Sequence, residues 1–205
     1  MKTVWTGQEL TDEDLSLRDL AGADMRGCRF TRCNFRHAKL SDVSTQSCTF
    51  VECAFQNAKM NVSRHEVSAF LNCRFDLANL FGAKFIECKL TGSHLQEAIL
   101  TGLTVESGDW SYVNMRMQDL RTLDLRRVNL SNADLYECNL EKADLRDADL
   151  SGADLRKARI VGADLRGAKV DGVDLKSLNL RRVRLTLGQA VYLARSHGAE
   201  VEDFE

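Results

Sequence analysis

Large apolar side chains recur at every fifth residue of this chain, a period that fits neither an α-helix nor a β-strand. They occupy the multiples of five from Leu10 to Leu185 without an insertion, and the exceptions are Thr45 and His65. Two residues before each of them the side chain is usually small, as at Ala23. Because alternating large and small inward residues fill a narrow interior without voids, the pattern predicts an all-β solenoid built from five-residue units.

The length of one coil follows from the aromatic residues. Phe30 and Phe35 are each followed, at intervals of twenty residues, by further phenylalanines that would stack on two neighbouring sides of the solenoid. The two exceptions, Thr45 and His65, are also twenty residues apart. Twenty residues hold four five-residue units, so we predict a four-sided coil. Residues 6–185 would then form about nine coils, paired through backbone hydrogen bonds at a spacing of ~4.8 Å.

Two places in the repeat carry side chains that fit the interior poorly. The first copies have Gln8, Glu13 and Arg18 at the small inward position, so we expect residues 1–20 to form an open N-terminal cap coil. Between Leu103 and Leu123 the small position is mostly filled by larger side chains, which predicts a local bulge or kink.

The five-residue period stops after Leu185, and the remaining residues have the features of a short α-helix. Thr186 and Gln189 have the spacing of a capping box, and Gly198 is a typical stop signal. Apolar residues lie on more than one face of this helix, so one face can cover the open end of the β-helix and a second needs a twin subunit. The chain thus divides into a β-helix, residues 1–185, and a capping and dimerisation helix with an acidic tail, residues 186–205. The candidate dimer-interface residues are Leu187, Ala190, Val191 and Ala194, which form one stripe, with Tyr192 and Leu193 beside it.

Composition and charge exclude several classes of function. The chain has 28 Lys and Arg against 30 Asp and Glu, a formal net charge of −2, whereas direct binding of nucleic acid needs clustered cations. No apolar run approaches the ~20 residues of a membrane helix, and the N-terminus contains no signal-like apolar core. These features predict a cytoplasmic protein that contacts neither nucleic acid nor membrane.

The residue types that usually carry catalysis are explained by the repeat itself. All seven cysteines occupy the small inward position, where a thiol behaves as a small buried hydrophobe and fits a reducing compartment. His65 points inward with Thr45 as its stacked neighbour, and no nucleophile or metal ligand is expected beside it. The sequence contains no phosphate loop, nucleophile elbow or separate carboxylate pair. We therefore predict no enzyme activity, no catalytic or metal-binding residue and no cofactor.

The alanine–aspartate–leucine units at residues 133–135, 143–145 and 163–165 are clear copies of one motif. In them the chain resembles the pentapeptide-repeat family, and the resemblance covers about residues 6–185. It implies a right-handed quadrilateral β-helix with four pentapeptides in each coil.

Within that family the chain is similar to the gyrase-protecting fluoroquinolone-resistance group, in its mycobacterial type without the loops of the Qnr proteins. The similarity lies in the uninterrupted rod, in residues 13–16 and in the helix from Gln189 to Gly198. It implies a non-enzymatic protein that binds DNA gyrase, a type II topoisomerase, as a duplex-DNA mimic and protects it from quinolone-like or natural-product inhibitors. It also implies a homodimer joined head to head through the C-terminus.

The charge of this chain modifies that expectation. A duplex as long as the predicted rod, about 43 Å, carries about 25 negative charges, far more than the net charge of −2. Mimicry must therefore rest on local rows of carboxylates at coil spacing. One row, Asp124, Asp144 and Asp164, runs beside arginines and is expected to neutralise itself. The candidate partner-binding residues are the other row and the acidic tail: Asp134, Asp154, Asp174, Glu200, Glu202 and Asp203.

A second class of function is compatible with the same pattern. A repeat rod without catalytic residues can also be a structural scaffold whose faces bind an unrelated protein. A gyrase supercoiling assay with and without a quinolone separates the two interpretations.

Overall fold

Short strands and isolated bridges form the coils of the molecule. The structure, a computed structural model, describes residues 3–202. Its strands are β1 (Val4–Thr6), β2 (Glu9–Thr11), β3 (Asp24–Arg26), β4 (Arg29–Thr31), β5 (Ser44–Gln46), β6 (Thr49–Val51), β7 (Arg64–Glu66), β8 (Ala69–Leu71), β9 (Lys84–Lys89), β10 (Thr104–Asp109) and β11 (Val128–Asn129). In β4 the buried Phe30 lies between two outward residues, because successive side chains of a strand point to opposite faces.

The strands pair in parallel with a shift of twenty residues. β1 pairs with β3 and β2 with β4, and Phe30 lies directly opposite Phe50. Isolated bridges with the same shift occur on the other two sides of the coil, as between Asn34 and Ala54. Four contact sites in every twenty residues make the coil four-sided. The prediction of an all-β solenoid is confirmed.

The number of strand-built turns is smaller than the sequence predicts. On one side β1, β3, β5, β7, β9 and β10 form a ladder of six strands, which corresponds to about six turns. Beyond Asn129 the register continues through isolated bridges as far as that between Asp164 and Arg184. The predicted count of nine coils is therefore wrong: extended strands build about six turns, and the later units pair through single residues.

Two columns of phenylalanine rings fill the first half of the interior. The columns consist of Phe30, Phe50 and Phe70 and of Phe35, Phe55 and Phe75. Within each column neighbouring ring centroids are 4.7–4.9 Å apart and the rings are nearly parallel. The columns meet edge to face, with 5.4 Å between the centroids of Phe30 and Phe35. Such aromatic pairs add about 0.5–1.5 kcal/mol each to the stabilisation from burial.

The two exceptions to the five-residue pattern meet inside the rod. Thr45 Oγ1 and His65 Nδ1 are 2.8 Å apart, and His65 Nε2 lies 3.0 Å from Ser63 Oγ. A neutral imidazole has one donor and one acceptor nitrogen, so both ring nitrogens have a partner. The ring also stacks on Phe85, with 4.7 Å between centroids. Complete burial lowers the pKa of His65 to about 3, and the side chain is therefore neutral near pH ~7.

Neighbouring coils separate at a seam in the middle of the rod. In most of the rod backbone hydrogen bonds join each coil to the next, as from Leu80 N to Ile99 O at 2.9 Å; near the C-terminal end of the described chain they are also missing between residues 153–161 and residues 173–180. Within the described chain, no backbone hydrogen bond or strand pairing joins residues 97–107 to residues 116–127. Pairing resumes where Gly108 meets Val128. The seam contains two clefts of about 620 and 680 Å³.

Large side chains at the small inward position account for this seam. Leu103 and Leu123 stand where most other coils carry Ala, Cys or Ser, and Leu123 is only half-buried. Next to them Gly108 has a φ of +119°, and a Cβ atom there would lie 2.2 Å from Cys88 O, so only glycine fits. Trp110, two residues further on, is fully buried and packs edge to face on Phe85, with 5.7 Å between ring centroids. The irregularity expected between Leu103 and Leu123 is thus an open seam on two of the four sides.

The two ends of the rod differ. In the first coil Gln8, Glu13 and Arg18 are exposed to solvent. At the other end a 3-10 helix, Leu175–Ser177, contacts the helix α1, Leu187–Ser196.

Candidate interaction surface

Asp134, Asp154 and Asp174 lie outward on one side of successive turns. Asp134 and Asp154 are direct bridge partners across neighbouring coils. Each accepts a hydrogen bond from the backbone N–H two residues further on, at 3.2 and 3.0 Å, as aspartates commonly do at turns. Asp174 caps the 3-10 helix by accepting from Lys176 N at 3.2 Å. The structure therefore brings these residues into a row but also uses them to hold the corners of the coil.

Arginines compensate most of this acidic row. Arg116 Nη1 lies 3.1 Å from Asp134 Oδ2, and Arg156 Nη2 lies 2.7 Å from Asp154 Oδ2. The hydrogen bond from Arg156 lowers the pKa of Asp154 below its usual value. Among the residues described, Asp174 is the member of the row without an ion pair. The row therefore presents less negative charge than three carboxylates would in isolation.

Sequence reasoning missed an aromatic and cationic group beside this row. The guanidinium carbon of Arg116 lies 4.3 Å from the ring centroid of Tyr136, and Lys157 Nζ lies 5.1 Å from it. Cations over an aromatic face are attracted by its electron density. The Asp-X-Arg spacing at residues 154–156 is visible in the sequence, and it signals the Arg156 ion pair. Arg116 reaches its carboxylate from eighteen residues away, so no local spacing reveals that contact.

The row Asp124, Asp144 and Asp164 neutralises itself, as expected. Arg146 Nη2 lies 2.6 Å from Asp144 Oδ2, and Arg166 Nη2 lies 2.7 Å from Asp164 Oδ2. The hydrogen bond from Arg166 contributes most to lowering the pKa of Asp164 to about 2. Ion pairs between solvent-exposed partners contribute ~0–1 kcal/mol each, whereas Asp164 is itself buried among its arginines.

Helix α1 closes the rod with a polar side chain. The expected capping box is present: Thr186 Oγ1 accepts from Gln189 N at 3.4 Å, and Gln189 Oε1 accepts from Thr186 N at 2.8 Å. Gln189 Nε2 also donates to Leu165 O at 2.6 Å and to Ala168 O at 2.7 Å. In most other coils the carbonyl at Ala168's position accepts a backbone N–H from the next coil. The buried amide of Gln189 thus takes the place of a further coil.

The candidate dimer-interface residues divide between the rod end and the surface. Leu193 packs against the core of the rod. Val191 and Ala194 are half-buried, whereas Leu187, Ala190 and Tyr192 are exposed. The exposed fractions of Leu187 and Tyr192 are 83% and 41%. These two side chains form the apolar part of α1 that the rod itself does not cover.

The acidic tail follows α1. Glu200 and Glu202 are exposed, and Asp203 lies outside the residues that the structure describes. Arg195 Nη2 donates to Val201 O at 3.1 Å, which ties the start of the tail to the helix.

The cysteines are buried free thiols. Burial raises the pKa of Cys48 and Cys88 to about 11 and that of Cys138 to about 12, so these thiols stay protonated and are poor nucleophiles. Between residues 3 and 202 no group of His, Cys, Asp and Glu is arranged to hold a metal ion. None of the helices in the same range combines the length and the apolar character needed to cross a membrane.

Comparison with known proteins gives one sequence family and one recurrent fold. The chain matches the family described as "Pentapeptide repeats", with eight copies in residues 14–44, 72–106 and 124–160. No curated protein sequence matches it significantly. The structure is similar to full-length QnrB1, described as a plasmid-mediated fluoroquinolone resistance protein, with a TM-score of 0.87 and 20% identity over 96% of this chain and 100% of that one. A trypsin-treated QnrB1 variant gives a TM-score of 0.80 at 20% identity, over 97% and 100% of the two chains.

A third similar structure has a different described role. HetL, a pentapeptide repeat protein involved in heterocyst differentiation regulation from the cyanobacterium Nostoc, gives a TM-score of 0.51 and 23% identity. The match covers 89% of this chain and 87% of HetL. At these identities the three likenesses concern the fold.

Proposed function

Because this chain belongs to the pentapeptide-repeat family, we propose that it binds DNA gyrase, a type II topoisomerase, and protects it from quinolone-like or natural-product inhibitors without catalysing a reaction. The observation that carries the proposal is the continuous rod, whose fold follows that of full-length QnrB1 over 96% of this chain. QnrB1 is described as a fluoroquinolone resistance protein. The proposal needs no cofactor, no direct contact with nucleic acid and no membrane.

In this proposal the rod replaces duplex DNA through its shape and a few local carboxylates. The net charge of −2 is too small to reproduce the field of a duplex, which carries one charge per ~1.7 Å. The ion pairs of Asp134 and Asp154 reduce the local field further. Asp174 and the tail residues Glu200 and Glu202 then supply the negative charge that a partner meets. Buried free thiols are typical of a reducing compartment, so we place the protein in the cytoplasm.

Replacing all three aspartates of the row by asparagine is expected to weaken gyrase protection about tenfold, or ~1.4 kcal/mol. Asparagine keeps an acceptor oxygen for the corner hydrogen bond, so the rod should stay folded. The change removes three negative charges and leaves Arg116 and Arg156 without their carboxylates. The measurement is the concentration that restores supercoiling in the presence of a quinolone.

A matched control carries the same change on another side, at Asp124, Asp144 and Asp164. It is expected to protect gyrase as well as the wild type does, since that row lies outside the proposed contact. Protection by the wild type should also weaken as salt rises, because exposed charges are screened beyond ~8–10 Å. Full protection by the variant of Asp134, Asp154 and Asp174 would assign recognition to shape or to the helix end.

The proposed active form is a homodimer joined head to head through α1. Leu187→Glu combined with Tyr192→Glu is expected to give monomers in light scattering, with unchanged circular dichroism, because both side chains are exposed in the single chain. Leu193 is unsuitable for this test since it packs against the core. Leu17→Glu, at an exposed site far from α1, is the matched control. A monomeric wild type at about micromolar concentration would contradict the proposed dimer.

The second candidate function is a scaffold rod that binds an unrelated protein. It is favoured by HetL, which has a similar fold and a described role in the regulation of differentiation. The deciding experiment is the supercoiling assay with purified gyrase, with and without a quinolone. If the wild-type protein changes supercoiling neither with nor without the quinolone, the result would support the scaffold function and contradict gyrase protection.

A further inference from the structure

One side of the rod carries an uncharged surface, which we call the window, on the N-terminal side of the seam. We define the window as the outward residues Asn61, Val62, Asn79, Phe81, Gly82, Ile99, Thr101 and Gly102. None of them is charged, although charged residues make up 28% of the chain. Val62, Phe81 and Ile99 have exposed fractions of 53%, 51% and 49%. Grouped exposed apolar side chains of this kind mark interaction sites.

Backbone contacts make the window one continuous surface. Val62 N donates to Phe81 O at 2.8 Å, and Gly82 N donates to Thr101 O at 2.9 Å. Ile99, on the uppermost of these coils, also lines the cleft of about 620 Å³ at the seam. The apolar surface therefore runs directly into the open seam.

The seam places unpaired backbone groups beside the window. Leu100 N and Gly102 N have no hydrogen-bond partner within the described chain, and neither do the carbonyl oxygens of Asp119 and Arg121 on the other edge. In the coil below, the groups at the same positions are paired across the coils. Unpaired strand edges readily pair with another extended chain.

We infer that the window and the adjoining seam bind an uncharged, extended segment of a protein partner; the inference rests on the proposed function, in which that partner is gyrase. The segment's apolar side chains contact Phe81, Ile99 and Val62. Its backbone N–H and C=O groups form hydrogen bonds with the unpaired backbone groups at the two edges of the seam.

The chemistry of the surface selects this occupant. A nucleic acid or an anionic membrane surface needs clustered cations, and the window has none; Lys59, the bridge partner of Asn79, stands at its N-terminal border as a single cation. At its upper border Asp119 and Arg121 pair with each other, with 2.6 Å between Oδ2 and Nη2, so this border adds no net charge. A protein segment without charge is therefore the partner whose desolvation on this surface costs the least free energy.

The first test measures the affinity of immobilised gyrase for the full-length protein. Phe81→Ser combined with Ile99→Ser is expected to raise the Kd at least tenfold, because it removes the apolar contacts and leaves the core intact. The matched control, Val67→Ser with Tyr112→Ser, changes two comparably exposed residues on other sides and is expected to stay within twofold of the wild type.

The outcomes distinguish this contact from the proposed function. A wild type that does not bind gyrase would overturn both. Wild-type affinity in the window variant would overturn the contact alone. A change in oligomeric state of the window variant would identify the occupant as a second copy of this chain and would also overturn the contact.

Hydrogen exchange gives a second, independent measurement. In the free protein the amides of Leu100 and Gly102 are expected to exchange faster than those of Leu80 and Gly82, which are bonded across the coils. Added gyrase is expected to slow the first pair at least tenfold. Unchanged exchange at the seam under saturating gyrase would overturn the proposed backbone pairing.

Discussion

Leu145→Asp is expected to destabilise the rod by at least about 4 kcal/mol and to shift its urea midpoint accordingly. Leu145 is fully buried at an inward position, and its neighbours in the column are other apolar residues. A carboxylate there loses its water and finds no cation, so it either stays charged at great cost or takes up a proton. The measurement is urea unfolding followed by far-ultraviolet circular dichroism.

The control for this experiment is Leu17→Asp. Leu17 is 74% exposed and lies far from α1, and its φ of 58° is one that aspartate adopts more readily than most residues do. We expect a change within about 0.5 kcal/mol. Equal unfolding midpoints for the two variants would contradict the inward assignment of the multiples of five.

The rod is expected to lose about 2 kcal/mol of stability between about pH 7 and pH 5 through His65 alone. Burial lowers the pKa of His65 from 6.5 to about 3 in the folded protein. In this range the unfolded chain binds a proton that the folded rod excludes. The contribution is therefore complete above pH ~6.5 and is lost as the pH falls toward about 3, with a total of about 4–5 kcal/mol.

His65→Gln tests this origin of the pH dependence. Glutamine can still donate and accept hydrogen bonds toward Thr45 and Ser63, but it does not titrate. The variant is expected to be less stable at neutral pH because the stacking on Phe85 is lost, and its stability should depend less on pH. The exposed His37→Gln serves as control. Parallel pH profiles for the wild type and His65→Gln would rule out the buried histidine as the cause.

The interior was predictable because a core position is defined by sequence period alone. Every multiple-of-five position from Leu15 to Leu175 is buried, and the phenylalanine columns stack at the spacing that their positions imply. The two polar exceptions follow the same period, because Thr45 and His65 are twenty residues apart and contact each other in the interior. The number of strand-built turns was overestimated because the period does not distinguish an extended strand from a unit that pairs through one residue.

The surface was less predictable because its chemistry depends on contacts between coils. The sequence predicts a negatively charged site at Asp134, whereas the structure places Arg116, from the preceding coil, within ion-pair distance of it. The spacing of Gln189 predicts a capping residue, and nothing in it shows that the side-chain amide also donates to two backbone carbonyls at the end of the rod. The seam was foreseen as an irregularity near Leu103, but its width depends on how two leucines pack in successive layers.

The equal length of all coils constrains how the chain can grow or shorten. Inward positions recur every five residues, whereas an outward position returns to the same side only after twenty. A deletion of five residues between Asp134 and Asp154 would keep Leu155 inside but turn every later side by a quarter of a revolution, so that the two aspartates would face different directions. A deletion of twenty residues would restore the alignment. The interior thus tolerates insertions or deletions of five residues, whereas the surface that a partner contacts is preserved only when their length is a multiple of twenty.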